Sequence, residues 1–156
     1  MTRRRRSTTS RWRTRERLAA EPPVVVDASV AVQWFAPEPG SAEAARLLRP
    51  TALFLAPDFM PLEATSAWWK KCRRGEMSPE QVEQAIRRLL AVGLDLMPNA
   101  PLLTPAVRLA LELELGHPVY DCVYLALAGQ HAARLATADA QLRTSARRLG
   151  LHVWRP

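Results

Sequence analysis

The chain contains few of the residues that organise disulfide-rich or zinc-binding proteins. Its 156 residues include only two cysteines, Cys72 and Cys122, and three histidines, and no CxxC or Cys/His spacing relates them. We therefore expect neither a disulfide framework nor a zinc site, and we expect both cysteines to be reduced, buried thiols. No apolar run approaches the roughly 18 residues of a membrane span, and no apolar stretch follows the arginine-rich N-terminus as in a secretory signal. We therefore expect a cytoplasmic protein without a membrane segment.

Lysine is also scarce, and the positive charge is distributed unevenly. The formal net charge is +7, yet residues 1–17 hold eight arginines against one acid, and the remainder balances 14 basic against 14 acidic residues. This composition predicts a basic disordered tail over residues 1–21 and one globular domain over residues 22–156. The tail is either a solvated extension or an arm that binds nucleic acid through charge. The domain itself has no excess charge that would indicate binding to a polyanion.

Short apolar strands alternate with helices along the predicted domain. Proline, glycine and capping residues between the apolar segments mark where each element begins and ends. Such alternation predicts an α/β fold with a central, mostly parallel sheet of about four to five strands and helices on both faces. The predicted strands cover residues 23–27, 53–56, 94–97, 134–137 and 151–154. The predicted helices cover residues 29–35, 42–48, 61–74, 102–115, 119–131 and 139–148, with a further helix that starts at 79.

Four acidic residues fall at one edge of this predicted sheet. Asp27 ends the first strand, and Asp139 follows the fourth strand by two residues. Glu63 and Asp121 each lie in the first turn of a helix, shortly after a proline. Because right-handed crossovers place all carboxyl ends of parallel strands at one edge, where such sheets bind ligands, we expect the four carboxylates to converge.

Each of these acids also has a purely structural interpretation. Carboxylates are favoured in first helical turns by the unpaired N–H groups and the helix dipole. The convergence of four acids from separate segments, without compensating lysine or arginine, favours a site for Mg²⁺ or Mn²⁺ instead. Ser29 either holds a water or phosphate oxygen or is an ordinary first-turn hydroxyl. Thr137 either orients Asp139 or caps the end of a strand.

Four sequence segments resemble the PIN domain, and most of all its VapC-type toxins from prokaryotic toxin–antitoxin modules. They are Asp-Ala-Ser at 27–29 after a valine run, Pro-Asp-Phe-Met-Pro-Leu-Glu at 57–63, Val-Tyr-Asp-Cys-Val-Tyr-Leu-Ala-Leu-Ala at 119–128, and Leu-Ala-Thr-Ala-Asp at 135–139. The resemblance extends from about residue 24 to residue 154. The third and fourth segments are specific in combination, whereas an isolated Asp-x-Ser is a weak signal.

The resemblance implies a three-layer PIN-like fold and a metal-dependent endoribonuclease. It further implies a homodimer, an antitoxin that blocks the site, and hydrolysis of RNA with Mg²⁺ or Mn²⁺. The family's acidic quartet corresponds to Asp27, Glu63, Asp121 and Asp139 in this chain. The family often has asparagine three residues after the helix glutamate, and this chain has Ser66 there. A supporting role for Ser66 is therefore an expectation that rests on its hydroxyl alone.

Other protein classes fit the acids less well. A phosphorelay receiver domain would need paired acids after the first strand and a lysine at a later strand end, whereas Lys70 and Lys71, the only lysines, lie together on one helix. A haloacid-dehalogenase phosphatase would need Asp-x-Asp after the first strand. The alternative from a different class is a non-enzymatic nucleic-acid-binding protein that uses the arginine-rich tail and in which the four acids are dispensable.

Two further patterns remain open at this level. The basic residues 70–74 either contact RNA phosphates or complement the C-terminus of their helix. Trp34 and Phe35 are adjacent on one helix, and Trp68 and Trp69 on another. Neighbouring helical positions point about 100° apart, so either one residue of each pair faces the core and the other does not, or all four aromatic residues belong to the core. The resemblance implies that the antitoxin binds near these two helices.

Overall fold

The computed structural model describes residues 21–48, 52–114 and 116–154. All of the predicted basic tail except Glu21 lies outside these ranges. The strands are β1 (Val24–Val26), β2 (Phe54–Pro57), β3 (Asp95–Met97) and β4 (Arg134–Ala136). The helices are α1 (Ala28–Phe35), α2 (Ser41–Ala45), α3 (Met60–Arg73), α4 (Pro79–Ala91), α5 (Leu103–Glu112), α6 (Val119–Gln130) and α7 (Ala140–Arg148), and a 3₁₀ turn (Ala100–Leu102) precedes α5.

The four strands form one parallel sheet in the order β3-β2-β1-β4. Strand β1 is central and its three valines are buried, because a parallel strand covered on both faces has no solvent side. The predicted α/β fold with a mostly parallel sheet is confirmed. Because β1 continues to β2 on one side and pairs with β4 on the other, the order of the strands reverses between β1 and β4. Ligands bind beyond the carboxyl ends of the strands at such a reversal.

The helices form two groups. Helices α1, α2, α3 and α4 contact one another, while α5 packs on α6 and α6 lies against β1, β2 and β4. This grouping agrees with right-handed crossovers that change face after β3, which gives helices on both sides of the sheet. Among the described residues, none of the helices combines the length and apolarity needed to cross a membrane.

Local sequence signals explain most of the helix boundaries. Ser78 caps α4 through a reciprocal capping box with Gln81, and Pro79 occupies the first turn, where its missing N–H costs nothing. Gly75 follows α3 with a φ of 75°, a left-handed conformation that favours glycine. Helix α6 differs from the others because residues 122–128 are all buried. It is therefore a central helix of the core rather than an amphipathic surface helix.

Two predicted elements differ from the structure. The strand predicted over residues 151–154 is reduced to one parallel bridge between Val153 and Leu135, since the chain makes only a brief pass beside β4. The helix predicted over residues 42–48 runs from Ser41 to Ala45, and the Ser41 side chain does not cap it. The Ser41 hydroxyl instead accepts from the N–H of Glu38 and donates to the carbonyl of Ala36, which closes the preceding loop.

Candidate functional site

The structure brings the four predicted acids to the carboxyl edge of the sheet. Asp27 directly follows β1, and Asp139 is the residue before α7, just beyond β4. Glu63 lies in the first turn of α3, and Asp121 lies in the first turn of α6. Each position follows from a local signal, either the end of a buried strand or a proline that starts a helix.

Asp27 is the buried member of this group. Its residue exposure is 8 %, and its Oδ2 accepts hydrogen bonds of 2.6 Å from both the Ser29 and the Thr137 hydroxyls. Burial raises the pKa of Asp27 above its ordinary value, and the two hydroxyl hydrogen bonds offset this only in part. The structure therefore holds a carboxylate where its charge is unfavourable, at the centre of the reversal point.

The two hydroxyls also fix the segment that leads to Asp139. Ser29 Oγ accepts from the N–H of Ala138 at 2.9 Å, and Thr137 Oγ1 accepts from the N–H of Asp139 at 3.0 Å. Each hydroxyl thus joins the carboxylate that ends β1 to the backbone that follows β4. The Thr137 hydroxyl thus contacts the backbone of Asp139 and the carboxylate of Asp27, and its predicted supporting role in the site stays a prediction.

Asp139 is exposed and has a structural role of its own. Its Oδ1 accepts from the N–H of Leu142 at 2.9 Å, so the side chain caps α7. Among the described residues, its second carboxylate oxygen takes part in no hydrogen bond. The capping interpretation and the site interpretation are therefore compatible in this residue, one for each oxygen.

Glu63 is held by a tyrosine from the other helical layer. The Tyr124 hydroxyl of α6 donates to Glu63 Oε2 at 2.6 Å, and the Tyr124 ring packs edge-on against Phe59. Burial raises the pKa of Glu63, the hydrogen bond from Tyr124 lowers it, and the negative charges of Asp27 and Asp121 raise it further. Burial and the neighbouring carboxylates also raise the pKa of Tyr124, so that its hydroxyl remains a proton donor.

Asp121 has a histidine beside it. Its Oδ2 lies 3.6 Å from Nδ1 of His117, and the other ring nitrogen of His117 lies 2.7 Å from the Ser145 hydroxyl on α7. The side chain of His117 is only 4 % exposed, against 23 % for Asp121. Burial raises the pKa of Asp121, as does the charge of Asp27, while His117 lowers it. This contact connects the start of α6 to α7.

Three of the four carboxylates, those of Asp27, Glu63 and Asp121, have raised pKa values. Each of the three raised carboxyl pKa values has burial as its main cause, and Asp27 adds a repulsive contribution to both Glu63 and Asp121. No lysine or arginine forms an ion pair with the quartet among residues 21–48, 52–114 and 116–154. Within the same ranges, no three Asp, Glu, His or Cys side chains stand close enough to surround one ion. As a donor set, however, uncompensated carboxylates suit Mg²⁺ or Mn²⁺.

An open cleft of about 840 Å³ lies beside these acids. Its walls come from α1, from the face of α3 that carries Glu63, and from the segments around Tyr120 and Asp139. Ser66 lines the cleft one turn after Glu63. No hydrogen bond joins Ser66 to the four carboxylates in the described part of the chain, so its predicted supporting role stays a prediction.

Two contacts of the site were absent from the sequence-based interpretation. Tyr124 was noticed only as part of a motif, although its position three residues after Asp121 on α6 places both on neighbouring faces near the sheet edge. His117, one of the three histidines, is buried beside Asp121. The available signal was its position four residues before an acid at a helix start, which does not by itself reveal burial.

The sequence matches the family model described as PIN domain over residues 24–147. The sequence is 31 % identical over 121 residues to a protein named Ribonuclease VapC3 from Pyrobaculum aerophilum. The aligned region covers 76 % of this chain and 91 % of that protein.

Solved structures of the same fold show a similar chain path. PAE2754 from Pyrobaculum aerophilum aligns with a TM-score of 0.57 and 22 % identity, over 79 % of this chain and 78 % of that one. VapC20 from Mycobacterium tuberculosis, described as a sarcin-ricin loop cleaving toxin, aligns with a TM-score of 0.66 and 15 % identity, over 85 % of this chain and 99 % of that one. At these identities the two structures support the fold alone.

Proposed function

The chain belongs to the PIN-domain family, and from this premise we propose that it is a metal-dependent endoribonuclease, the toxin of a toxin–antitoxin module. One observation carries the proposal: a buried, uncompensated carboxylate, Asp27, lies at the point where the strand order reverses, with three further acids around it. Selection retains such an unfavourable arrangement where function needs it. The relative named as a ribonuclease supports the choice of RNA as substrate.

In this proposal Asp27, Glu63, Asp121 and Asp139 would hold Mg²⁺ or Mn²⁺, and their side chains would have to move closer together to do so, since no three of the described acidic, histidine or cysteine side chains surround one position in the structure. A divalent ion in such a site polarises a phosphate oxygen and makes a bound water acidic enough to act as a nucleophile. The chain's own contribution is to keep these carboxylates ionised, oriented and in place.

Three hydroxyl groups provide the orientation. Those of Ser29 and Thr137 fix Oδ2 of Asp27, which leaves Oδ1 of the same carboxylate as the oxygen without a side-chain donor among the described residues. The Tyr124 hydroxyl does the same for Glu63 Oε2. Because each donor stabilises the charged carboxylate, each favours the form that binds a cation.

The test is cleavage of RNA by purified protein with Mg²⁺ or Mn²⁺, with and without chelator. Asp121→Asn should remain folded by circular dichroism and should cleave at least about 100-fold more slowly, or roughly 2.7 kcal/mol of lost transition-state stabilisation. Asp95→Asn is the matched control, because Asp95 is an exposed carboxylate at the start of β3, at the edge of the sheet away from the four acids. Full activity of the Asp121→Asn protein, or equal activity in chelator, would contradict the assignment.

The partners belong to the same proposal. We infer an antitoxin protein that covers the cleft, and a homodimer whose contact includes Leu103, Val107 and Leu111, exposed apolar residues four positions apart on α5. Both cysteines of the chain are free thiols, which agrees with a reducing cytoplasm as the site of action. A monomeric mass in light scattering at micromolar concentration would contradict the dimer.

A further inference from the structure

The basic residues at the end of α3, within residues 70–74, have different surroundings. Lys71 is 12 % exposed, and its Nζ lies 2.5 Å from Glu38 and 3.4 Å from Glu76. Arg74 also pairs with Glu76, at 2.6 Å. Lys70 is exposed, lines the cleft and forms no ion pair with any described residue. Of these two adjacent lysines, Lys71 is therefore neutralised by ion pairs, and Lys70 is the one whose charge is available to a ligand in the cleft.

The cleft follows α3 away from the acids towards Lys70. Glu63, Ser66 and Lys70 line it, and their spacing of three and four residues places them on one face of the helix. At a rise of 1.5 Å per residue, Lys70 lies about 10 Å along the helix from Glu63. The cleft is therefore acidic at the sheet edge and basic two turns further along.

The opposite wall of the cleft is held in place by polar contacts. Gln33 of α1 lines the cleft and donates from its amide nitrogen to the carbonyl of Pro39 at 3.0 Å. The Lys71–Glu38 ion pair ties the same loop to α3. These contacts neutralise Glu38 and hold the loop beside α3, and among the described residues that line the cleft Lys70 is the cation without an ion pair.

We propose that this cleft is the groove for the RNA strand next to the cleaved bond, and that Lys70 contacts a backbone phosphate one or two nucleotides from it. The inference rests on the proposed ribonuclease function and adds the path of the substrate to it. A lysine ammonium is a point charge that positions a phosphate without reading the base, so Lys70 strengthens binding at every sequence equally. The exposed ring of Tyr120 at the acidic end of the cleft would offer a base a stacking surface.

The test is binding of a fluorescein-labelled single-stranded RNA of about 12 nucleotides, a length within the range of single-strand binding sites. Anisotropy is measured in chelator over a range of salt, so that binding is read without cleavage. Loss of one phosphate contact on a single strand lowers the salt slope by about 0.7, or about fourfold in affinity near physiological salt. Lys70→Gln should show both changes, and Lys70→Arg should restore most of the affinity.

The matched control is Arg73→Gln, because Arg73 is exposed on the last turn of the same helix and does not line the cleft. It removes the same charge and should leave the affinity and the salt slope within a factor of about two. Equal losses in Lys70→Gln and Arg73→Gln would indicate attraction by overall charge and would overturn the groove. An unchanged Lys70→Gln protein, or a wild type that does not bind the probe, would overturn it as well.

Binding and cleavage fail separately in this design. If no RNA is cleaved but the Lys70→Gln loss remains, the groove stands and the proposed ribonuclease activity is wrong. If RNA is cleaved, Lys70→Gln should raise KM by a similar factor and leave kcat unchanged, since a phosphate away from the cleaved bond is bound equally in the ground state and the transition state. A lower kcat with unchanged KM would contradict the assigned position of Lys70.

Discussion

Replacement of Asp27 by asparagine should make the domain more stable in the absence of metal. The carboxylate is buried at the sheet edge and its pKa is raised by that burial, despite hydrogen bonds from Ser29 and Thr137. Asparagine has the same shape, accepts from the same hydroxyls through its carbonyl oxygen and carries no charge. The substitution therefore removes the desolvation penalty while it keeps the geometry of the clamp.

The magnitude follows from two opposing contributions. A hydrogen bond to a charged group is worth about 1.5–3 kcal/mol and one between neutral groups about 0.5–1.5 kcal/mol, so the two hydroxyl bonds together lose about 2 kcal/mol. Burial of a carboxylate costs several kcal/mol, and the raised pKa of Asp27 shows that this cost is the larger of the two. We expect a net gain of about 1–2 kcal/mol, which for a domain of this size corresponds to a rise in Tm of about 2–8 °C.

The dependence on pH has a defined sign. The folded-state pKa of Asp27 lies above its ordinary value of 3.8, so the folded protein binds the proton more tightly than the unfolded chain does. Wild-type stability consequently increases as the pH falls through the folded-state pKa of Asp27 towards 3.8, and this gain is lost again as the pH rises through the folded-state pKa. The asparagine variant lacks this contribution, so the difference in Tm should narrow on acidification.

The assay is thermal unfolding at neutral pH in chelator, followed by circular dichroism, for wild type, Asp27→Asn and the control Asp95→Asn. Millimolar Mg²⁺ should narrow the difference in Tm between wild type and Asp27→Asn, because an ion that binds the folded wild type stabilises it by mass action. Asp95 is exposed on β3, so its variant should melt within about 1–2 °C of wild type. A lower Tm for Asp27→Asn than for wild type in chelator would refute the reasoning, since the carboxylate would then stabilise the fold.

Two other predictions concern groups around the cleft. Tyr124→Phe removes the hydrogen-bond donor to half-buried Glu63, which should lower the free energy of unfolding by about 1 kcal/mol after allowance for solvent. Because the pKa of Glu63 then rises further, the acidic limb of the pH profile of RNA cleavage should move to higher pH. Tyr120→Phe is the control, and an unchanged pH profile for Tyr124→Phe would contradict the role of the tyrosine hydroxyl. Trp69 is 55 % exposed on α3 beside buried Trp68 and should contribute to the antitoxin interface. Trp69→Ala should weaken the affinity for the purified antitoxin, measured by calorimetry, by about 2 kcal/mol or more, roughly 30-fold. An effect no greater than that of Leu90→Ala, an exposed leucine on α4, would place the interface elsewhere.

The prediction about adjacent aromatic residues shows how far periodicity alone extends. For Trp68 and Trp69 the alternative in which one residue faces the core is confirmed, because one ring is fully buried and the other exposed. For Trp34 and Phe35 both rings are partly buried against the core, and the indole N–H of Trp34 donates to the carbonyl of Ala44 at 2.9 Å. The difference lies in the neighbours, since helix α2 folds back over α1 and covers a face that the helical period would have left to solvent.

The amino-acid sequence is enough to predict the order of the elements and the position of each acid within its element. A run of three β-branched valines favours a strand buried on both sides, and a proline two or three residues before an acid favours a first helical turn for that acid. Parallel strands joined by right-handed crossovers then bring Asp27, Glu63, Asp121 and Asp139 to one edge. These inferences use local rules and one rule of chain topology, and neither needs a side-chain contact.

Which side chains contact one another depends on how distant segments pack. The hydroxyls of Ser29 and Thr137 converge on Asp27 because β1 and β4 are neighbours, although their residues are 108 positions apart in the chain. Likewise, Lys71 forms an ion pair and Lys70 lines the cleft because the loop after α1 places Glu38 beside Lys71. A hydrogen bond or an ion pair forms over a few ångströms between segments that the sequence leaves distant, and packing of the two helical layers on the sheet fixes that last distance.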